Sequence, residues 1–250
     1  MNTTYRKQFV NKKKATAYDQ VEYGSDSYNE ILWRVEQEQL AALIAEFRRD
    51  YDHIDYLDFA AGTGRIVGFL EDKVDNATAV EISSSMVELA RKKLTNATVI
   101  CADITANAAV VEQKYDLITA FRFVLNAEPD LRLRAMRALA ARLRDSSSWL
   151  VFNNHGNLWS HKLLLWPLHR LRRLGRGYLT AGNYMTNRQA RKLADQAGLR
   201  IERVIGAGVL SAKVAGRMSV DSAVTLESRL ARSELLSRLA VNQMYVARLK

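Results

Sequence analysis

The feature that most restricts the fold of this chain is a regular alternation, between residues 54 and 153, of short apolar segments with helical patterns. Such alternation is typical of a parallel sheet with helices on both of its faces. The predicted strands span residues 54–59, 77–81, 97–102, 116–121 and 148–153. The predicted helices span residues 65–72, 84–94, 130–144 and, further along, 186–197. The sequence therefore predicts an α/β fold.

The remaining residues predict additions to this sheet and not a second domain, because no Pro/Gly/Ser-rich linker divides the chain. Ser27 and Glu30 have capping-box spacing at the start of an amphipathic helix over residues 27–50. Further strands are predicted at residues 200–205 and 243–249. We predict a single domain over residues 1–250, with an N-terminal helical cap at 1–50, a basic lid insertion at 156–185 and a helical insertion at 209–240 before the last strand.

Positive charge is concentrated in one part of the chain, whose formal net charge is +10. No acidic residue occurs between Asp145 and Asp195, and most of the basic residues there fall in the predicted lid or just after it. A field of one sign attracts nucleic acid, lipid headgroups or a phosphorylated substrate. The same charges are also compatible with an ordinary solvated face. The predicted partners therefore include an anionic membrane surface and, as an alternative, RNA.

The cysteine content and the hydropathy of the sequence indicate the expected cellular compartment. The single cysteine, Cys101, excludes an intrachain disulfide, which is typical of a reducing cytoplasm. The basic N-terminal residues lack the apolar stretch of a secretion signal. The apolar cluster at residues 163–168 is too short to span a bilayer. We expect a cytoplasmic protein, with peripheral binding at the inner face of the membrane if the basic lid contacts lipid.

The stretch Asp58-Phe-Ala-Ala-Gly-Thr-Gly-Arg65 lies where the first predicted strand is followed by a helix. Gly62 and Gly64 allow the backbone to approach a ligand closely and leave amides free at the start of the helix. In an open α/β sheet, ligands bind beyond the carboxyl ends of the strands. The glycine pattern alone is also compatible with a tight turn.

Carboxylates at the ends of the next two strands favour a ligand. Glu81 ends the second strand, about 20 residues beyond the glycines, where an acidic side chain accepts hydrogen bonds from ribose hydroxyls. Asp103 ends the third strand, where it can accept from an adenine amino group. The turn and the two carboxylates together predict a nucleoside-binding site. A dinucleotide fingerprint would have a third glycine at position 67, which is Val67.

This set of motifs resembles the class I S-adenosylmethionine-dependent methyltransferases. The resemblance covers roughly residues 50–155 and lies in four motifs, in the order and spacing of that family: Asp58-x-Ala60-x-Gly62-Thr63-Gly64-Arg65, Val80-Glu81-Ile82-Ser83-x-x-Met86, Ala102-Asp103-Ile104 and Tyr115-Asp116-Leu117-Ile118. It implies a Rossmann-like sheet of seven strands, mostly parallel with the last strand antiparallel, and helices on both faces. The implied cofactor is S-adenosyl-L-methionine, with S-adenosyl-L-homocysteine as product.

The resemblance also implies roles for individual residues of this chain. Asp58 and the turn Ala60, Ala61, Gly62, Thr63 and Gly64 would hold the methionine portion of the cofactor. Glu81 would bind the ribose and Ile82 and Met86 the faces of the adenine. Asp103 and Ile104 would contact the adenine edge, and Phe121 would line the sulfonium end.

The methyl acceptor is less closely defined by the sequence. His155 follows the fifth predicted strand at the ligand edge and is the candidate general base, although it could instead only orient loops or substrate. An Asn/Asp-Pro-Pro-aromatic motif, which base-modifying amino methyltransferases share, is missing after the fourth strand. We predict a hydroxyl or amine acceptor on a small molecule, a glycan or a lipid-linked molecule, and we assign no metal ligands. The alternatives are an RNA methyltransferase that uses the basic region 146–194 and a cofactor-binding protein without turnover.

Overall fold

A computed structural model of the chain describes residues 28–165 and 183–250. The predicted cap at Ser27 and most of the predicted basic lid, including Arg170, Arg172, Arg173 and Arg176, lie outside the described residues. None of the helices in the described ranges has both the length and the apolar character that a bilayer-spanning helix needs.

The described residues contain a seven-stranded sheet. Its strands are β1 (Asp55–Phe59), β2 (Asn76–Glu81), β3 (Ala97–Cys101), β4 (Leu117–Ala120), β5 (Trp149–Asn154), β6 (Leu199–Ala207) and β7 (Asn242–Leu249). Their order across the sheet is β3-β2-β1-β4-β5-β7-β6. Strand β7 is antiparallel to β5 and to β6, so six strands are parallel and the last one is reversed. The predicted fold class is confirmed.

Helices pack against both faces of the sheet. They are α1 (Tyr28–Phe47), α2 (Arg65–Leu70), α3 (Ser84–Lys93), α4 (Pro129–Ala140), α5 (Asn187–Gln196), α6 (Ala212–Ala215), α7 (Val220–Ala231) and α8 (Glu234–Ser237). Short 3₁₀ helices occur at Ala108–Val110 and His161–Leu165. The predicted helical insertion at 209–240 consists of three short helices, because Ser211, Ser219 and Ser233 each start a new one by accepting a hydrogen bond from a backbone amide.

Helix α4 is shorter than the pattern over 130–144 predicts. The amide of Arg144 donates to the carbonyl oxygen of Tyr115, and the amide of Tyr115 donates to that of Arg142. Leu143 forms a parallel bridge with Tyr115. The backbone after Ala140 therefore pairs with the residues that precede β4 and leaves the helix.

Apolar side chains of successive strand residues enter two cores, one on each face of the sheet, since neighbours along a strand point in opposite directions. Leu57 contributes to the core beneath α4, and Tyr56 contributes to the core beneath α1. Both faces are thus buried, which explains why the strands read as continuous apolar runs. The carboxyl ends of the strands remain as the edge at which a site can form.

Candidate active site

A cavity opens at the carboxyl ends of β1, β2 and β4, where the order of strands reverses between β1 and β4. It encloses about 1010 Å³ of empty space when its open mouth is included. The predicted site residues in its wall are Asp58, Ala60, Ala61, Gly62, Thr63, Glu81, Ile82, Met86, Asp103 and Phe121.

The turn between β1 and α2 has a backbone that requires small residues. Gly62 and Gly64 have φ angles of 59° and 86°, and Ala60 has a φ of 56°. These values lie in the left-handed region, which glycine adopts without strain. A Cβ on Gly64 would also lie 3.1 Å from Cδ1 of Leu94. The small residues predicted to leave room for a ligand are therefore also needed for the conformation of the turn.

Glu81 joins the glycine turn to the end of β2. The Gly62 amide donates to its Oε2 over 2.9 Å, and the Ser83 amide donates to its Oε1 over 2.9 Å. Its side chain is buried, which raises the pKa of the carboxyl, and the two amide donors oppose that rise. Each oxygen has a further lone pair, so this carboxylate in the cavity wall can accept from the paired hydroxyls of a ribose.

Asp58 is a buried carboxyl beside the turn. The Thr119 hydroxyl donates to its Oδ1 over 2.6 Å. Among the described residues, its Oδ2 has no hydrogen-bond partner at a normal distance and angle. The Val67 amide nevertheless lies close enough to favour the charged form of the carboxyl. Burial raises the pKa of Asp58 to about 7, against the Thr119 hydrogen bond. A cationic group such as the ammonium of a methionine moiety would satisfy Oδ2 and stabilise the ionised form.

Asp103 is also in the cavity wall, where its Oδ1 accepts from the amide and the hydroxyl of Thr105. Met86 and Ile82 add apolar side chains to the same cavity wall. These wall residues fit an adenosyl ligand whose methionine end has a positive charge.

Two predicted contact residues lie beside the cavity and not in its wall. Ile104 is 1% exposed and packs in the core beneath α4. Gly64 occupies the N-cap of α2, and its amide donates to the carbonyl oxygen of Ala61. Both residues therefore support the shape of the site from behind.

The cavity wall contains further residues that the sequence reasoning did not assign: Phe59, Arg65, Ile66, Val80, Ala102, Thr105, Arg122, Phe123 and Leu131. Most of them are neighbours along the chain of predicted site residues at strand ends. This position in the sequence is the signal that could have identified them. Leu131 is different, because it comes from α4 and reaches the site only through tertiary packing.

Arg122 follows β4 and has a φ of 58°, which is uncommon for a residue with a side chain. Its amide donates to Oδ1 of Asn153 over 2.6 Å. Its carbonyl oxygen accepts from Nδ2 of Asn126 over 2.7 Å. Two side chains therefore hold this strained backbone in place at the cavity wall.

His155 follows β5 directly, as predicted, and is not among the residues of the cavity wall. Burial lowers the pKa of the imidazole well below its usual value, and the positive charges of Arg122, Lys162 and Arg65 lower it further. Its Nδ1 is buried and has no hydrogen-bond partner among the described residues. The ring is therefore neutral near pH 7, the form that can accept a proton, and its role as base stays a prediction.

A parallel sheet with a reversed last strand, a glycine turn after β1 and a carboxylate ending β2 are the features that the sequence resemblance implied. Residues 32–204 match the family model of the Methyltransferase domain. The chain belongs to this family, and the predicted membership in the class I S-adenosylmethionine-dependent methyltransferase superfamily is confirmed.

One curated relative is similar to part of the chain. A malonyl-[acyl-carrier protein] O-methyltransferase of Priestia megaterium (strain DSM 319 / IMG 1521) is 42% identical over 69 residues. The match covers 26% of this chain and 24% of that protein, so it spans about a quarter of the relative's length.

Solved structures with low sequence identity share the fold over nearly the whole chain. The magnesium protoporphyrin IX methyltransferase of Synechocystis PCC 6803 with bound S-adenosylhomocysteine has a TM-score of 0.64 at 15% identity, covering 98% of this chain and 100% of that chain. The CcbJ methyltransferase of Streptomyces caelestis has a TM-score of 0.59 at 18% identity, covering 99% and 98%. At such identities the likeness concerns the fold.

Proposed function

We propose that this methyltransferase transfers the methyl group of S-adenosylmethionine to a hydroxyl or amine of a small-molecule, glycan or lipid-linked acceptor. The observation that best supports the cofactor is the buried Glu81 carboxylate, which the amides of Gly62 and Ser83 fix in the cavity wall. When bound, S-adenosylmethionine supplies the methyl group already activated as a sulfonium. The chain's own residues then have to bind the cofactor, align the acceptor with its methyl group and exclude water from the site.

Different residues of the site are proposed to bind the cofactor, to exclude water and to accept the proton. Glu81 would accept from the ribose hydroxyls, and Asp58 would accept from the ammonium of the methionine portion. Phe121, Phe123 and Leu131 give the cavity apolar wall where water has to be excluded. A hydroxyl acceptor needs a base, and neutral His155 can take its proton, whereas an amine acceptor has only to be unprotonated.

Labelled cofactor tests the acceptor class. The protein is incubated with methyl-labelled S-adenosylmethionine and with separate pools of small metabolites, glycans, lipids and RNA. We expect the label to appear in the small-metabolite, glycan or lipid pool and to resist ribonuclease. Label in RNA would support the alternative, and binding of S-adenosylhomocysteine without any product would support a protein that binds the cofactor without turnover.

Replacement of His155 tests the base. For a hydroxyl acceptor, His155→Ala should lower turnover by roughly 10²–10⁴-fold. The affinity for S-adenosylhomocysteine should stay unchanged, because His155 lies outside the cavity wall. Full turnover of the variant would show that another group accepts the proton, or that the acceptor is an amine.

The basic lid and the cytoplasmic location stay predictions. Four arginines of the lid, Arg170, Arg172, Arg173 and Arg176, fall in a segment outside the described residues. Replacing all four by glutamate should abolish binding to anionic liposomes or RNA and leave cofactor affinity intact, since each is expected to contribute about 1 kcal/mol near an anionic surface.

A further inference from the structure

Two hydroxyl groups between β1 and β4 form a chain that ends on the Asp58 carboxyl. The Tyr56 hydroxyl lies 2.6 Å from Oγ1 of Thr119, and the Thr119 hydroxyl donates to Oδ1 of Asp58 over 2.6 Å. Thr119 is opposite Asp58 in the parallel register of the two strands, and Tyr56 lies two positions before Asp58 on the same face of β1. Tyr56 and Thr119 are 0% exposed and Asp58 is 1% exposed. Bulk water therefore does not replace these hydrogen bonds.

The direction of these hydrogen bonds follows from the number of protons that each hydroxyl carries. A threonine hydroxyl has one hydrogen and two lone pairs. Thr119 donates its hydrogen to Asp58, so the short contact with Tyr56 must be a bond in which Tyr56 donates. Burial, with the Asp58 charge as the second cause, raises the pKa of Tyr56 well above its usual value, so this hydroxyl keeps its proton. Each donor in such a chain polarises the next, which strengthens the bond to the carboxylate.

The Thr119 hydrogen bond is the largest of the influences that favour the charged form of Asp58. Burial raises the pKa of this carboxyl to about 7, and the Glu81 charge at the end of β2 raises it too. The Val67 amide and the Arg65 charge, both from α2, act with Thr119 in the opposite direction. The carboxyl is therefore close to losing its charge near neutral pH, and the removal of one hydrogen-bond donor would change its protonation.

The two oxygens of Asp58, a residue of the cavity wall, have different surroundings. Oδ1 accepts from Thr119, whereas the buried Oδ2 has no hydrogen-bond partner among the described residues. We propose that Thr119 is a positioning residue for the cofactor: its hydroxyl, oriented by that of Tyr56, holds Asp58 in its charged form and leaves Oδ2 for the ammonium of the methionine portion. This role rests on the proposed function, because it concerns the cofactor of that reaction. Where Asp58 is protonated before binding, the ammonium displaces that proton from the carboxyl to the solvent.

Thr119→Val removes the hydroxyl and keeps the shape of the side chain, so it tests this role directly. Calorimetry compares two ligands: S-adenosylhomocysteine, which has the ammonium, and 5′-methylthioadenosine, which has the adenosyl part without the amino-acid part. Loss of a hydrogen bond to a charged group should raise the pKa of Asp58 by about one unit or more. At about pH 6 we expect the variant to bind S-adenosylhomocysteine about tenfold more weakly than the unmodified protein does. At about pH 8.5, where Asp58 is charged in both proteins, the difference should nearly disappear. The affinity for 5′-methylthioadenosine should be the same for both proteins at either pH.

Three further variants control for side-chain shape and for folding. Thr119→Ser restores the hydroxyl and should restore the affinity for S-adenosylhomocysteine at the lower pH. Thr98→Val makes the same change at an exposed position on β3 outside the cavity wall, and it should bind both ligands as the unmodified protein does. The double variant Tyr56→Phe/Thr119→Val leaves no buried tyrosine hydroxyl without an acceptor, and it replaces Thr119→Val if that single variant does not fold.

The two ligands and the two pH values distinguish this role from a purely structural one. Equal weakening of both ligands, or a loss of affinity that is the same at both pH values, would show that Thr119 only supports the shape of the site and would overturn the proposal. So would an unchanged affinity of Thr119→Val for S-adenosylhomocysteine, or no recovery in Thr119→Ser. Failure of the folded, unmodified protein to bind either ligand would instead overturn the proposed function itself.

Discussion

At the scale of single residues, the carboxyl of Asp58 connects the pH of the solution to the stability of the fold and to cofactor binding. Burial raises its pKa from 3.8 to about 7 in the folded chain. Between these two values the folded state therefore binds more protons than the unfolded state. The contribution of Asp58 to the free energy of unfolding therefore decreases as the pH rises through this window.

The first prediction concerns this pH dependence. Asp58→Asn should flatten the decrease in stability between about pH 4 and pH 7, because the amide has no proton to lose. Urea unfolding at several pH values measures the effect as the difference between the two proteins, which removes the contribution of Glu81 and other groups. Parallel curves for the two proteins would contradict the raised pKa of Asp58.

Cofactor binding should depend on the same proton. A bound ammonium favours ionised Asp58, so binding of S-adenosylhomocysteine below about pH 7 should release a proton and should tighten as the pH rises. Calorimetry in buffers of different ionisation enthalpy measures this release. The Asp58→Asn variant serves as the control and should release less.

The second prediction concerns Glu81. Glu81→Ala should weaken binding of S-adenosylhomocysteine by about 1–3 kcal/mol, the scale for charge-assisted hydrogen bonds. The amides of Gly62 and Ser83 would also lose their acceptor, so the turn itself should loosen. Glu88→Ala, at an exposed position on α3, is the matched control and should bind normally. If Glu81→Ala binds S-adenosylhomocysteine as tightly as Glu88→Ala does, Glu81 is not part of the cofactor site.

At the scale of secondary-structure elements, the connection after β6 depends on one glutamate of α7. Glu227 is fully buried, and its carboxylate accepts from the amides of Gly208, Val209 and Leu210 at 3.2, 3.0 and 2.6 Å. Burial raises the pKa of this carboxyl, and the three amide donors oppose the rise. A single side chain thus accepts from three successive amides of this connection, while the Gly208 and Leu210 carbonyls accept from the Val241 amide and the Tyr28 hydroxyl.

The third prediction follows from this contact. Glu227→Ala should lower the free energy of unfolding by roughly 1–3 kcal/mol for each buried amide left without a partner. Cofactor affinity of the folded protein should not change, because no residue of α7 lines the cavity. Glu234→Ala, whose side chain is 85% exposed, should unfold as the unmodified protein does. Equal stability of the two variants would show that water replaces Glu227 at no cost.

At the scale of the whole molecule, the cavity lies between elements from both halves of the sheet, so a ligand in it should stabilise the entire fold. A ligand that binds only the folded state at 100 times its Kd adds about 2.7 kcal/mol to the free energy of unfolding.

The fourth prediction applies this relation to the cofactor product. S-adenosylhomocysteine at that concentration should raise Tm by roughly 5–11 °C, since each kcal/mol shifts Tm by about 2–4 °C in a domain of this size. NAD should not raise Tm, because Val67 stands where the dinucleotide motif has its third glycine. Differential scanning calorimetry measures both ligands, and an equal shift with NAD would contradict the assignment of the cofactor.

The sequence by itself determined the strand order along the chain and most of the cofactor end of the cavity. Strand periodicity and the small residues of the turn are local properties, and the carboxyl ends of parallel strands must meet at one edge. Gly62, Glu81 and Asp103 could therefore be placed together without coordinates. The alternation of apolar and helical segments likewise predicted the layers.

Only the tertiary structure decided which side chains complete the site from a distance. The end of α4 depends on the pairing of residues 142–144 with Tyr115, which competes with helix propensity. Leu131 reaches the cavity through packing, and the positive φ of Arg122 depends on Asn153, a partner 31 positions away. Local sequence patterns describe neighbours along the chain, whereas these contacts arise from how the elements pack, so no pattern in the sequence contains them.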